Sequence, residues 1–139
     1  SFIIFSLSSL SNNPRNEIGK NKKYYFYDNG IRNSIIRNFN TLEYRNDVGH
    51  LWENFFISEM RKNNFNSGKI INSYFWRNYQ KKEIDYIEEF GGEFKLYECK
   101  YNPDRKVKIP MDFKNNYSSY EFNVVNTENF WKFLDTKLV

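Results

Sequence analysis

The chain lacks several features that would assign it to common classes of protein, and each absence excludes one of them. It has one cysteine, Cys99, so no disulfide can form within it, and a reducing compartment, the cytoplasm, is expected. The longest run without charge, residues 1–14, is too short and polar to span a bilayer and has no signal-peptide cleavage site. The pattern G-x-x-x-x-G-K-[ST] is missing, which excludes P-loop nucleotide binding by this chain.

Alanine is also missing, while Lys, Asn, Ile, Tyr and Phe are abundant, as an A·T-rich coding sequence would produce. The Lys and Asn excess and the 20% aromatic content are therefore weak guides to function. Hydrophobic residues reach 40%, near the globular average, and 139 residues suit one domain with its own core. The net charge of +4 permits a polyanionic partner without requiring one.

Hydrophobic periodicity and turn signals predict an α/β chain. From residue 47 onward the predicted order is a helix, three strands that include a central hairpin, a helix, a strand and a final helix. Two further strands and a short helix are predicted before residue 47. The predicted strands are 3–7, 22–28, 70–76, 83–89, 93–100 and 121–125, and the predicted helices are 31–39, 47–64, 110–117 and one beginning at 126 or 127.

The longest predicted helix carries one wide apolar stripe, which Glu53 interrupts. The stripe consists of Val48, Leu51, Trp52, Phe55, Phe56 and Met60. A carboxylate inside such a stripe breaks the local pattern, and such breaks tend to mark function or strain. If this helix packs on the hairpin, Glu53 reaches whatever site the hairpin carries.

The predicted hairpin places two carboxylates face to face. With its turn at residues 91–92, the register puts Asp85 directly across from Glu98, with Cβ atoms about 4.5–5.5 Å apart. Alternation along the strand places Lys100 on the same face as Glu98 and turns Cys99 towards the core. The plain alternative is a solvated hairpin with an ordinary cross-strand ion pair.

Two facing carboxylates repel each other, and a divalent cation removes that cost. Hard oxygen ligands of this kind suit Mg²⁺ or Mn²⁺. A neighbouring ammonium, that of Lys100, would orient an attacking water or stabilise charge on a phosphate. We therefore expect Glu53, Asp85 and Glu98 to be metal ligands, and these three residues together with Lys100 to be catalytic in phosphodiester hydrolysis.

A helix with Glu53 followed by a hairpin with Asp85, Glu98 and Lys100 resembles the PD-(D/E)XK nuclease superfamily, which includes restriction endonucleases and Holliday-junction resolvases. The proline that usually precedes the aspartate is Ile84 here. The resemblance implies a restriction-endonuclease-like fold, with a mixed central β-sheet flanked by helices and an N-terminal extension of strand and helix.

Four stretches resemble more closely the C-terminal domain, of unknown function, of a large family of prokaryotic P-loop (AAA-type) ATPases. They are KKYYFYDNGIRN at 22–33, DVGHLWENFFI at 47–57, YFWR at 74–77 and EIDYIE at 83–88. The resemblance implies that an ATPase region, which would bind ATP, precedes this domain in a longer protein, and the first residue is not methionine. It divides the chain into an N-terminal extension, 1–46, and a nuclease-like domain, 47–139.

Two classes of function follow, and the residues alone leave both open. The first is Mg²⁺-dependent cleavage of DNA by the nuclease-like domain. The second is a catalytically inactive module that regulates the N-terminal ATPase domain, binds a protein or binds DNA. Neither predicts a membrane partner, and the oligomeric state is not predicted. Weaker candidates are His50, one turn before Glu53, and the basic stretch 105–108, which would contact phosphates.

Overall fold

The computed structural model describes residues 3–12, 17–36, 38 and 40–134, and this part of the chain contains six strands and three α-helices. The strands are β1 (Ile4–Ser9), β2 (Lys22–Phe26), β3 (Asn72–Arg77), β4 (Glu83–Phe90), β5 (Glu93–Cys99) and β6 (Tyr120–Val125). The helices are α1 (Asn29–Ile36), α2 (Val48–Ser67) and α3 (Met111–Asn116), and 3-10 turns span Leu42–Tyr44 and Phe130–Lys132. None of the helices described is long and apolar enough to cross a membrane.

The six strands form one mixed sheet in the order β2-β1-β3-β4-β5-β6. The pairs β1–β2, β3–β4 and β4–β5 are antiparallel, whereas β1–β3 and β5–β6 are parallel. The predicted α/β class, with a mixed central sheet flanked by helices, is thereby confirmed. The two N-terminal strands join this same sheet, and the division of the chain at residue 47 stays a prediction.

Buried side chains form one cluster on each face of the sheet. The cluster on the face covered by α2 contains Phe5, Leu7, Tyr25, Phe56, Ile57, Met60, Phe75, Tyr86, Tyr97, Cys99 and Val125. The cluster on the face covered by α3 contains Trp76, Ile84, Ile87, Leu96, Phe113 and Tyr117. Each buried side chain of this size contributes roughly 1.5–3 kcal/mol, so the two clusters fix α2 and α3 over opposite faces.

The β4–β5 hairpin has the predicted register. Its pairs run from Phe90 opposite Glu93 to Tyr86 opposite Tyr97, and the ladder ends there, so the predicted direct pair of Asp85 with Glu98 is not part of it. The two turn glycines have φ angles of 60° and 84°, which two-residue hairpin turns of type I′ require and which side chains with a Cβ disfavour. The turn chemistry therefore sets which residues of the two strands face each other.

A β-bulge interrupts β4 on its other side, where it pairs with β3. Positions 74 and 76 of β3 pair with positions 87 and 84 of β4, so Asp85 and Tyr86 together face the single residue Phe75. Ile84 and Ile87 consequently both pack on the α3 face, while Tyr86 packs on the α2 face. A bulge of this kind re-aims side chains relative to regular alternation, and here it lies at Asp85.

Asn54 of α2 is buried and ties the helix to the outermost strand, β2. Its Oδ1 accepts a hydrogen bond of 2.8 Å from the Phe26 N–H, and its Nδ2 donates to the Phe26 carbonyl at 2.8 Å and to Asn29 Oδ1 at 2.9 Å. The side chain thus satisfies both backbone groups of an edge position.

The predicted final helix is wrong, because residues 126–134 form only the 3-10 turn Phe130–Lys132. The Asn126 side chain accepts hydrogen bonds from two backbone N–H groups that follow it, which closes a tight turn instead of a helical one. Phe130 packs edge-on against Trp52 with ring centroids 5.3 Å apart. Of the apolar residues that suggested a helix, Phe130 and Leu134 pack against the cluster under α2, whereas Trp131 is 57% exposed.

Other boundaries differ by a few residues. α2 continues past the predicted end near residue 64 to Ser67 and stops at Gly68, whose φ of 72° ends the helix in a left-handed conformation. The strand predicted from residue 70 begins at Asn72. The predicted end of α1 at residue 39 lies outside the described residues.

Asn54→Ala is expected to lower the free energy of unfolding by about 2–3 kcal/mol. The change removes three hydrogen bonds and leaves the Phe26 N–H and C=O without their partners at a largely buried place. Urea unfolding followed by tryptophan fluorescence measures the loss. Asn66→Ala, at an exposed position near the end of the same helix, is the control. It should change the midpoint of urea unfolding little. Equal effects of the two changes would contradict this role of Asn54.

Candidate functional site

Three carboxyl groups meet where the β4–β5 ladder ends. The Asp85 carboxyl is hydrogen-bonded to those of Glu98 and Glu53, and its Oδ2 also accepts a hydrogen bond of 2.8 Å from the Cys99 N–H. Asp85 is 8% exposed and Glu98 is 7% exposed. The structure thus brings together side chains from α2, β4 and β5, and we call Glu53, Asp85 and Glu98 the carboxyl cluster.

Local structure explains why these residues meet. Tyr86 and Tyr97 form the last described pair of the hairpin ladder, and the bulge in β4 begins directly beyond it at Asp85. The Asp85 side chain accepts the Cys99 N–H, so this backbone donor of β5 is bound by a side chain. Glu53 reaches the same place from the second turn of α2, because Tyr25 holds it with a hydroxyl hydrogen bond of 3.0 Å.

The cluster shares protons, because burial disfavours charge and neighbouring carboxylates repel each other. Burial, reinforced by Asp85, raises the pKa of Glu98 to about 10 and that of Glu53 to about 8. Burial also opposes the ionisation of Asp85, but hydrogen bonds from Glu98, Glu53 and the Cys99 N–H keep its pKa below the ordinary value. The arrangement therefore favours one ionised carboxylate, Asp85, hydrogen-bonded by protonated neighbours.

Two lysines supply positive charge to the cluster. Lys100 follows β5, where its N–H donates to the Val125 carbonyl at 2.8 Å, and its ammonium lowers the pKa of Glu98. Lys23 of β2 lies with its Nζ 3.8 Å from Glu53 Oε1 and 3.7 Å from Glu83 Oε2. Lys100 was expected from the sequence, whereas Lys23 was missed, since nothing in the pattern of β2 shows which α2 residue it faces.

The donor set of the cluster meets the needs of a divalent cation only in part. In the part of the chain that is described, no three His, Cys, Asp or Glu side chains are arranged to hold a metal ion. The carboxyl groups of the cluster are instead hydrogen-bonded to one another. Their hard oxygen atoms nevertheless suit Mg²⁺ or Mn²⁺, and Mg²⁺ commonly takes one or two carboxylates and keeps several waters. Asp85 and Glu98 are the residues that would hold it.

Other predicted candidates lie outside the cluster. His50 is exposed on α2, one turn before Glu53, and the basic stretch 105–108 is in the loop between β5 and α3. Cys99 is buried on the α2 face, as expected, and burial raises the pKa of its thiol, so it is a packing residue.

Another buried carboxyl group, outside the cluster, lies farther along β4. Glu88 accepts hydrogen bonds from the Tyr86 hydroxyl at 2.9 Å and from the Asn64 amide. Burial raises its pKa above the ordinary value. The sequence gives no sign of this group, because a glutamate near the Glu-rich end of a strand is usually expected to be solvent-exposed.

The fold and the site define a mixed α/β domain with a buried carboxyl cluster. A family model for a domain of unknown function, DUF4143, matches residues 48–135, more than half of the chain, and the chain belongs to that family. No curated protein and no solved structure matches it. The matched segment contains Glu53, Asp85, Glu98 and Lys100, whereas Lys23 precedes it.

Glu98→Gln is expected to flatten the pH dependence of stability in buffer that contains a chelator. Between the ordinary pKa of 4.5 and the raised pKa of about 10, the folded protein holds a proton that the unfolded chain has lost. The free energy of unfolding therefore falls as pH rises through this window. One proton corresponds to a slope of at most about 1.4 kcal/mol per pH unit. Urea unfolding between pH 5 and pH 9 measures the slope.

The control for this experiment is Glu93→Gln, at the exposed start of the same strand. It should leave the slope at the wild-type value. If Glu98→Gln and the wild type have the same slope, Glu98 is ionised in the folded protein and the description of the cluster as proton-sharing is wrong.

Proposed function

We propose that this chain is a nuclease-like domain that hydrolyses phosphodiester bonds in DNA with the help of Mg²⁺ or Mn²⁺. The observation that carries the proposal is the position of Asp85, hydrogen-bonded to both Glu98 and Glu53, with the ammonium of Lys100 close enough to lower the pKa of Glu98. Two acids and a lysine gathered at the end of a β-hairpin are the groups that metal-assisted phosphodiester hydrolysis needs.

The order of elements supports a restriction-endonuclease-like assignment of the fold. A long helix that carries a glutamate, α2, precedes the three antiparallel strands β3, β4 and β5, and α3 and β6 follow. β6 returns parallel to β5, the strand that carries Glu98. This order agrees with the resemblance to the PD-(D/E)XK superfamily that the residues Glu53, Asp85, Glu98 and Lys100 carry.

Each residue has a distinct role in the proposed reaction. Asp85 and Glu98 would hold the cation, and Glu53 would complete the acidic wall of the site. A bound divalent cation supplies charge neutralisation and lowers the pKa of a coordinated water. Lys100 would hold the attacking water or stabilise the charge that develops on the phosphate oxygens. Glu98 must lose its proton before it can bind a cation, because a metal ligand has to be deprotonated.

The proposed place of the domain in a longer protein follows from the resemblance to P-loop ATPases. The ATP site would belong to a preceding region, and residues 1–46 would connect that region to the nuclease-like domain. The single buried cysteine agrees with a proposed location in the cytoplasm.

Asp85→Asn, Glu98→Gln and Lys100→Met are each expected to lower the rate of DNA cleavage by at least about 100-fold, as the loss of one group that stabilises the transition state does. The assay incubates plasmid, branched and single-stranded DNA with the chain and Mg²⁺ or Mn²⁺. Asp104→Asn removes a carboxylate from the exposed loop after β5 and is the matched control. Cleavage that survives Asp85→Asn and Lys100→Met would reject these assignments.

A second candidate function is a catalytically inactive module that serves the ATPase by regulation, protein interaction or DNA binding. It is favoured by one observation: the cluster satisfies its own hydrogen bonds, and Asp85 and Glu98 are almost completely buried. In this case, titration of the chain with Mn²⁺ by calorimetry should give no saturable heat. Saturable binding that Glu98→Gln abolishes would count against the inactive module and for the proposed nuclease.

A further inference from the structure

We propose that the pocket between β2, α1 and α2 binds a phosphate group of a DNA strand, beside the carboxyl cluster. The inference rests on the proposed function, since it assigns the substrate contact next to the reacting centre. The pocket has a volume of about 280 Å³, and Lys23, Tyr24, Arg32, His50, Glu53 and Asn54 are among the residues that line it. We call it the β2–α2 pocket.

Lys23 is the main cation of this pocket, and its ammonium has room for a further acceptor. Its side chain is only 21% exposed, and its nearest acids, Glu53 and Glu83, lie at 3.8 and 3.7 Å. Both distances are longer than a charge-assisted hydrogen bond, which measures about 2.7–2.9 Å. The Lys23 ammonium also lies over the ring of Phe75, 5.4 Å from the ring centroid. A phosphate oxygen at hydrogen-bonding distance would give this ammonium the close acceptor that neither acid provides.

The acids near Lys23 have other partners of their own. Glu83 pairs with Arg77, the neighbouring residue across the β3–β4 ladder. Glu53 accepts the Tyr25 hydroxyl and is hydrogen-bonded to Asp85. Lys23 can therefore turn towards a ligand without leaving either carboxylate unpartnered.

The remaining walls favour a phosphate of a nucleic-acid strand. Arg32 donates to Asp47 at 3.0 Å, but Asp47 also pairs with Arg45, so one carboxylate faces two guanidinium groups and this wall of the pocket keeps positive charge. Within the described part of the chain the His50 ring makes no hydrogen bond, and it is exposed at the mouth, where it can donate to a phosphate oxygen. Tyr24, which also lines the pocket, is 68% exposed, and an exposed aromatic ring can stack on a base.

The β2–α2 pocket and the carboxyl cluster share Glu53 as a common wall. Its carboxyl group faces Lys23 on one side and is hydrogen-bonded to Asp85 on the other. A strand that places one phosphate against Lys23 would therefore lie next to Glu53, the member of the carboxyl cluster that lines this pocket. Because the pocket adjoins the carboxyl cluster, Lys23 is in a position to bind the substrate of the proposed reaction.

The test measures binding of a fluorescein-labelled single-stranded DNA oligonucleotide by anisotropy, in the presence of a chelator and over a series of salt concentrations. Lys23→Met should weaken binding several-fold at low salt and reduce the slope of log K against log salt by about 0.7, the effect of one lost phosphate contact on single strands. Lys114→Met removes the same charge from α3, on the opposite face of the sheet. It should change neither the affinity for the oligonucleotide nor the salt slope. Urea unfolding of both variants checks that they fold.

The outcomes separate this inference from the proposed function. Equal effects of Lys23→Met and Lys114→Met, or a wild type that does not bind the oligonucleotide, would overturn the phosphate site. Inorganic phosphate that competes as strongly as the oligonucleotide would also overturn it, because the ligand would then not be a DNA strand. If binding depends on Lys23 but no DNA is cleaved with Mg²⁺ or Mn²⁺, the phosphate site stands and the nuclease fails. If DNA is cleaved but its binding does not depend on Lys23, the nuclease stands and the phosphate site fails.

Discussion

The carboxylate of Asp85 is the acceptor on which the arrangement of the site depends. It binds the Cys99 N–H of one strand, the carboxyl of Glu98 on the same strand and the carboxyl of Glu53 on α2. A single buried charge thus connects three elements at the point where the hairpin ladder ends. Because the three acids are hydrogen-bonded to one another through Asp85, a change in its partners alters the proton occupancy of the whole cluster.

The strongest features of the fold could be read from local sequence. Two adjacent glycines set the hairpin turn, and the turn sets the register that brings Asp85 towards Glu98. The apolar stripe of α2 likewise predicts a helix that packs on a sheet. The final segment was wrongly predicted to be a helix. Its aromatic residues have helical spacing, but Phe130 instead packs against Trp52 from a short turn. Spacing alone does not show whether such residues form the apolar stripe of a helix or make individual contacts from a turn.

The remainder of the site depends on long-range placement that local patterns do not encode. The bulge at Asp85 has no marker such as glycine, and the neighbours of Lys23 and Tyr25 come from residues about 30 to 60 positions away. Both residues belong to β2, which lies outside the segment 48–135 matched by the family model. Two partners of Glu53 therefore come from the part of the chain that was predicted to be an extension.

The pairing that joins the β1–β2 ribbon to the rest of the sheet is short. β1 joins β3 through only two residue pairs, Ser8 with Tyr74 and Ser9 with Phe75, whereas the ladder within the β1–β2 ribbon has five. The ribbon is therefore held to the rest of the molecule largely by its side chains, because Phe5, Leu7 and Tyr25 pack in the same buried cluster as Phe56 and Phe75. Its detachment would carry Lys23 and Tyr25 away from Glu53, and the hydrogen bonds of Asn54 oppose that separation.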